Sequence, residues 1–231
     1  MSDDGALIEG YEEDRPALDV ACINARTHYA SLVSSTGNHC QVWRSTRKRI
    51  ADDSSDSHVE FVIKYPRDYF SIGDARILAR HYRSLRESLG DIVPEALFVM
   101  SEIDGRPNLF VLARAVNIWF NIANPLNREE AIGLLRDHPL AWAQLKTFIA
   151  AARRWREGDN PRVIDLFGLD NLVMDNQRQI RFIDSFYVFF FEDLLHMLGG
   201  ERDHDLEDKI GTSLKRLAYL EEILAFSDPE G

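Results

Sequence analysis

At Ser71 the hydrophobic period of this chain changes from two residues to between three and four, and that switch limits what it can fold into. Upstream, two β-rich runs at 27–33 and 39–44 flank the polar stretch 34–38, and a third run at 58–65 alternates apolar with polar. Three consecutive antiparallel strands are the economical reading. Downstream, Ile72, Ile77, Leu78, Tyr82, Leu85 and Leu89 recur at helical steps until Gly90, so a long helix is expected over 72–89. Apolar runs at 96–100 and 109–113 then surround Asp104-Gly105, a hairpin signal. The first half therefore reads β-β-β-α-β-β.

The second half is different in kind. Helices are expected over 128–136, from Pro139 to about 156, near 190–198 and over 205–226, with proline tolerated at a helix start. Leu140, Leu145, Phe148, Ile149, Ala152 and Trp155 share one face of the second of these, which reads as core. One interruption stands out: apolar runs at 163–174 and 179–184 flank an Asp175-Asn176 turn and predict a short hairpin. The fold class is α+β.

Charge and cysteine content remove several functions. Lys and Arg number 27 against 38 Asp and Glu, a net charge of −11, which works against binding a phosphate backbone, so nucleic acid is not an expected partner. The chain opens Met1-Ser2-Asp3-Asp4-Gly5, acidic where a secretion signal is basic, and its longest aromatic run, 186–191, is too short to span a bilayer. No membrane association and a cytoplasmic address are expected. Cys22 and Cys40 are the only cysteines and read as packed, reduced thiols.

Four side chains carry most of the chemical interest. Asn171 precedes one arm of the predicted hairpin and Asp184 ends the other, so a tight turn brings both to the same end. An amide and a carboxylate there make an oxygen-rich pocket suited to a hard cation such as Mg²⁺. Asp165 lies on the incoming loop, near enough to accept a proton from a bound hydroxyl. Upstream, Lys64 sits between Ile63 and Tyr65 in a predicted strand, where a lone ammonium calls for an anionic partner. Residues 75–86 contain no Asp or Glu, which leaves Asp74 or, preferably, Glu87 for that role.

In this order the residues resemble the protein-kinase-like superfamily, in the manner of compact bacterial kinase-like proteins. The resemblance covers roughly 27–195 and implies a bilobal fold: an acidic arm at 1–26, an antiparallel β-rich N-lobe at 27–116 and a small, mainly helical C-lobe at 117–231. It further implies that Lys64, paired with Glu87, holds nucleotide phosphates, that Asn171 and Asp184 hold Mg²⁺, and that Asp165 orients or deprotonates the accepting hydroxyl. Arg114 and Val116 would bound a segment contacting the adenine edge, and Gly37 would lie in a loop over the phosphates. The implied activity is ATP- and Mg²⁺-dependent phosphoryl transfer to a hydroxyl of a protein or small molecule. The alternative is an inactive, pseudokinase-type binding module.

The sequence also departs from the family pattern. Asp165 stands six residues before Asn171 where five is usual, no lysine or histidine lies between them, and the Asp-Phe-Gly triplet is replaced by Asp184-Ser185-Phe186. Elsewhere the plainer readings hold: Glu201, Asp203, His204, Asp205, Glu207 and Asp208 form a capping cluster at a helix start, and Arg44, Arg47, Lys48 and Arg49 a solvated hairpin end.

Overall fold

The computed structural model describes residues 28–34, 40–47, 60–103, 105–193 and 204–228. The protein is mixed α+β. Five strands, β1 (His28–Ser34), β2 (Cys40–Arg47), β3 (Phe61–Pro66), β4 (Ala96–Ile103) and β5 (Arg106–Arg114), form an antiparallel sheet in the order β1-β2-β3-β5-β4. Helix α1 (Ile72–Leu89) separates the first three strands from the last two. The expected loop glycine, Gly37, lies outside the described residues, as do the acidic arm at 1–26 and most of the helix expected at 190–198.

Helix α1 begins with a reciprocal cap: the Ser71 N–H and hydroxyl donate to Asp74 Oδ2 at 3.0 and 2.7 Å, and the Asp74 N–H donates to Ser71 Oγ at 3.2 Å. Those bonds hold the Asp74 carboxyl below its usual range. It ends at Gly90, whose φ of +55° is the left-handed conformation that glycine adopts without strain. The buried face of α1 differs from the expected one. Ala75, Leu78, Ala79, Tyr82, Leu85 and Leu89 are buried, whereas Ile72 and Ile77 are each 48% exposed. The two alanines complete the helical stripe that the larger isoleucines had suggested.

The chain divides into two compact units, Met1–Arg80 with Pro94–Ala115, and His81–Val93 with Val116–Gly231. In the first, the inner strands bury Phe61, Leu109, Val111 and Ala113. In the second, α2 (Arg128–Asp137), α3 (Pro139–Glu157) and α4 (His204–Phe226) pack on one another, and α3 also packs on a three-stranded sheet. That sheet, in the order β6-β8-β9, consists of β6 (Ile118–Phe120), β8 (Leu172–Asp175) and β9 (Ile180–Phe182). Leu145, Phe148, Leu172, Phe182 and Leu220 are fully buried in this unit, with the Phe148 and Phe182 rings stacked at 6.0 Å. Leu140, expected in the core, is 57% exposed, because it lies one residue into α3 and off the buried stripe.

The run 163–174 is not one strand. Val163–Ile164 forms β7, which pairs antiparallel with β10 (Phe189–Phe190), and 165–171 is a loop before β8 begins. The β8–β9 turn is built by Asp175, whose Oδ1 accepts from the Gln177 and Gln179 N–H groups, both at 2.9 Å. Its Oδ2 accepts from Arg181 Nε at 2.9 Å, and Arg181 also donates to the Asp91 carbonyl. Asp175 is 6% exposed, so its charge depends on these donors. Asp175→Ala removes the carboxylate facing Arg181 Nε and leaves the turn amides open, and is expected to cost about 3 kcal/mol in urea unfolding followed by tryptophan fluorescence.

Candidate functional site

The β8–β9 register pairs Leu172 with Phe182, which puts Asn171 and the residues after Phe182 at one end of the hairpin. The Ile183 N–H donates to the Asn171 carbonyl at 2.8 Å and extends that pairing by one step. Asn171 Nδ2 donates to the Asp165 carbonyl at 3.2 Å and approaches Asp184 Oδ2 at 3.5 Å. Thus Asp165, Asn171 and Asp184 meet in one corner although they span twenty residues of sequence. Asp184 Oδ1 accepts from the Ser185 and Phe186 N–H groups at 2.6 and 3.3 Å, which orients the carboxylate.

The loop 165–171 owes its shape to close approaches and to α4. A Cβ at Gly168 would lie 2.4 Å from Asn171 Oδ1, so only glycine lets the amide occupy this corner. From α4, the fully buried Ser213 hydroxyl accepts from the Leu166 N–H at 3.1 Å, and Arg216 donates to the carbonyls of Leu166 and Phe167. The Asp165 N–H donates to the Val188 carbonyl at 2.9 Å, which ties the loop to the segment after Asp184. Sequence reasoning missed Gly168, Ser213 and Arg216. A serine at the centre of an apolar helical stripe, between Ile210 and Leu217, was the available signal.

Two carboxylates in one corner are electrostatically costly. Burial pushes the Asp165 carboxyl up to about 7, the Asp184 charge and a hydrogen bond to the Asp184 side chain add to the rise, and the Phe167 N–H, which donates to Asp165 Oδ1 at 2.7 Å, opposes it. Lys209 opposes it as well, from the same α4 face as Ser213. Burial also drives the Tyr82 hydroxyl well above its usual range, beside Ser185 and Asp184. The Ser185 hydroxyl is buried without a well-formed hydrogen bond.

Among the described residues no group of three or more His, Cys, Asp or Glu side chains is arranged to hold a metal ion. The corner offers a smaller set of hard oxygens: two carboxylates, the Asp165 carbonyl and, after a half-turn of its amide, Asn171 Oδ1. That set suits Mg²⁺, which takes one or two carboxylates and fills its remaining positions with water and phosphate oxygens.

The other candidates belong to other elements of the chain. Lys64 occupies the middle of β3, paired with Val42 and Val111, and is 8% exposed. Glu87 is on the exposed side of α1 and belongs to the second unit, whereas Lys64 belongs to the first. Arg114 ends β5 with its N–H donating to the Glu95 carbonyl, and the Ala115 N–H donates to that of Glu60, both at 2.8 Å. Val116 opens the second unit. No protein-family model matches the chain, and no curated protein matches it.

The Asp165 carboxyl titrates higher in the folded chain than in the unfolded one, so the folded state binds the extra proton between about pH 4 and pH 7 and loses stability as pH rises through that window. Asp165→Asn keeps an acceptor for Phe167 and removes the charge. It should raise Tm at pH 7.5 and leave it unchanged near pH 4, as read by calorimetry across pH. Gly168→Ala should lower Tm at both pH values, because the added methyl displaces the Asn171 amide whatever the charge on Asp165.

Proposed function

We propose that this chain is a kinase-like phosphotransferase that binds ATP with Mg²⁺ and transfers the γ-phosphoryl group to a hydroxyl of a protein or small-molecule acceptor. The observation that carries the reading is the corner at which the Asn171 amide spans the Asp165 carbonyl and the Asp184 carboxylate. Its support is the ordered occurrence of a buried strand lysine, Lys64, upstream of that corner in the same chain.

In this reading Asp184, oriented by the Ser185 and Phe186 amides, and Asn171, wedged against Gly168, hold the cation. Bound Mg²⁺ supplies charge neutralisation on the phosphate oxygens. Lys64 contributes a fixed positive charge on β3 of its own unit, the role in phosphate binding that the resemblance implies. The Arg114 and Ala115 N–H groups already serve the sheet, so the donor left in this segment for a base edge is that of Val116. Asp165 has one oxygen tied to Phe167, and its second oxygen takes the acceptor's proton as the new P–O bond forms and ADP departs. A carboxyl displaced toward neutral pH is suited to that exchange.

A second reading, nucleotide binding without transfer, is favoured by one observation: Asp165 is only 6% exposed and hydrogen-bonds within its own loop. Two measurements separate the readings. ATP with Mg²⁺ should raise Tm more than ATP alone, and Asp184→Ala should abolish the metal-dependent part while the apo protein still melts cooperatively. No metal-dependent shift in the wild type would sink both. If the shift is present, radiolabelled transfer that disappears in Asp165→Asn selects the enzyme, and no transfer by the wild type to any acceptor or to water selects the binding module.

A further inference from the structure

The Ser185 hydroxyl has no well-formed hydrogen bond although the residue is only 2% exposed. A hydroxyl taken out of water and left unpaired is destabilising, so alanine would serve better here if only the backbone mattered. That backbone has a task. The Ser185 N–H donates to Asp184 Oδ1 at 2.6 Å, the shorter of the two amide bonds that aim the carboxylate. Where Ser185 sits therefore decides where Asp184 points.

Tyr82 neighbours this hydroxyl and the Asp184 charge. It lies in the part of α1 that belongs to the same unit as Ser185, and it is 4% exposed. A phenylalanine at this position would fill the buried stripe beside Leu78 and Leu85 without bringing a polar group into it. The phenol is thus a second buried oxygen that packing alone does not require. Burial keeps it protonated, so it can donate where the serine oxygen can accept.

We propose, resting on the reading of Asp184 as a cation ligand, that Tyr82 and Ser185 are positioning residues of the cation site. When Asp184 takes a divalent cation, the Tyr82 hydroxyl donates to Ser185 Oγ and fixes the backbone whose amide aims the carboxylate. A cation draws Asp184 toward itself and so pulls on the Ser185 N–H, and the phenol anchors Ser185 against that pull. Ser213 and Arg216 steady the loop that follows Asp165, and Tyr82 does the corresponding work on the segment that follows Asp184. Groups that orient a metal ligand without touching the metal govern its affinity.

The test titrates the full chain with Mn²⁺ alone, followed by the electron paramagnetic resonance signal of the free ion. The wild type is expected to bind Mn²⁺, and Asp184→Ala to abolish binding. Tyr82→Phe and Ser185→Ala should each weaken it about tenfold. The double variant should bind no more weakly than either single one, because both changes remove the same hydrogen bond. The Tm of metal-free Ser185→Ala should not fall, whereas a residue needed for packing alone would lower Tm and leave the Mn²⁺ affinity unchanged. The proposal is overturned if the wild type does not bind Mn²⁺, if the folded single variants bind within about twofold of it, or if the two losses multiply in the double variant. Should Tyr82→Phe fail to fold, Ser185→Ala decides by the same twofold criterion. No nucleotide is involved: a wild type that holds Mn²⁺ through this pair but shows no metal-dependent ATP shift loses the phosphotransfer reading and keeps this one.

Discussion

Carboxylates do not share a buried corner unless something holds them there. Asp165 and Asp184 are brought together by covalent and hydrogen-bonded constraints that act on backbone rather than on charge. The β8–β9 register places Asp184, the amides of Ser185 and Phe186 aim it, and the Gly168 approach leaves room for the Asn171 amide beside it. Burial first, and then the repulsion that remains, raise the proton affinity of Asp165. A site held this way takes up a proton more readily than an exposed carboxylate does.

The hairpin at the centre of this corner was legible in the sequence because its signals are local. An Asp-Asn turn between two apolar runs predicts the pairing, and pairing alone carries Asn171 toward Asp184. The long helix α1 was legible for the same reason, since Ser71 and Asp74 at one end and Gly90 at the other are short-range stop and start signals. Its buried face was less so: isoleucine weighs more than alanine in any hydrophobic count, yet the alanines lie inward and the isoleucines outward. The difference between volume and position is visible only once neighbouring elements are in place.

What the sequence hid is long-range. Leu166 and Ser213 are 47 residues apart, and Arg216 reaches carbonyls 50 and 49 residues upstream. No periodicity links a loop to the helix that steadies it. Nor does a glycine in a loop announce whether it is there for a turn or, as at Gly168, because another side chain occupies the space beside its Cα. The division of 163–174 into a strand, a loop and a second strand was hidden too, because β7 finds its partner at Phe189–Phe190 rather than in the adjacent hairpin.

Ser213 and Arg216 sit in the last helix described, and this has a bearing on how the protein is made. A chain emerging from the ribosome presents β8, β9 and the loop 165–171 before α4 exists to grip them. Until that helix is synthesised, the Leu166 amide and the neighbouring carbonyls lack these partners, so the corner cannot be completed before the last helix is. A nascent protein that stalls short of residue 213 would carry the acidic side chains but not the helix that steadies the loop between them.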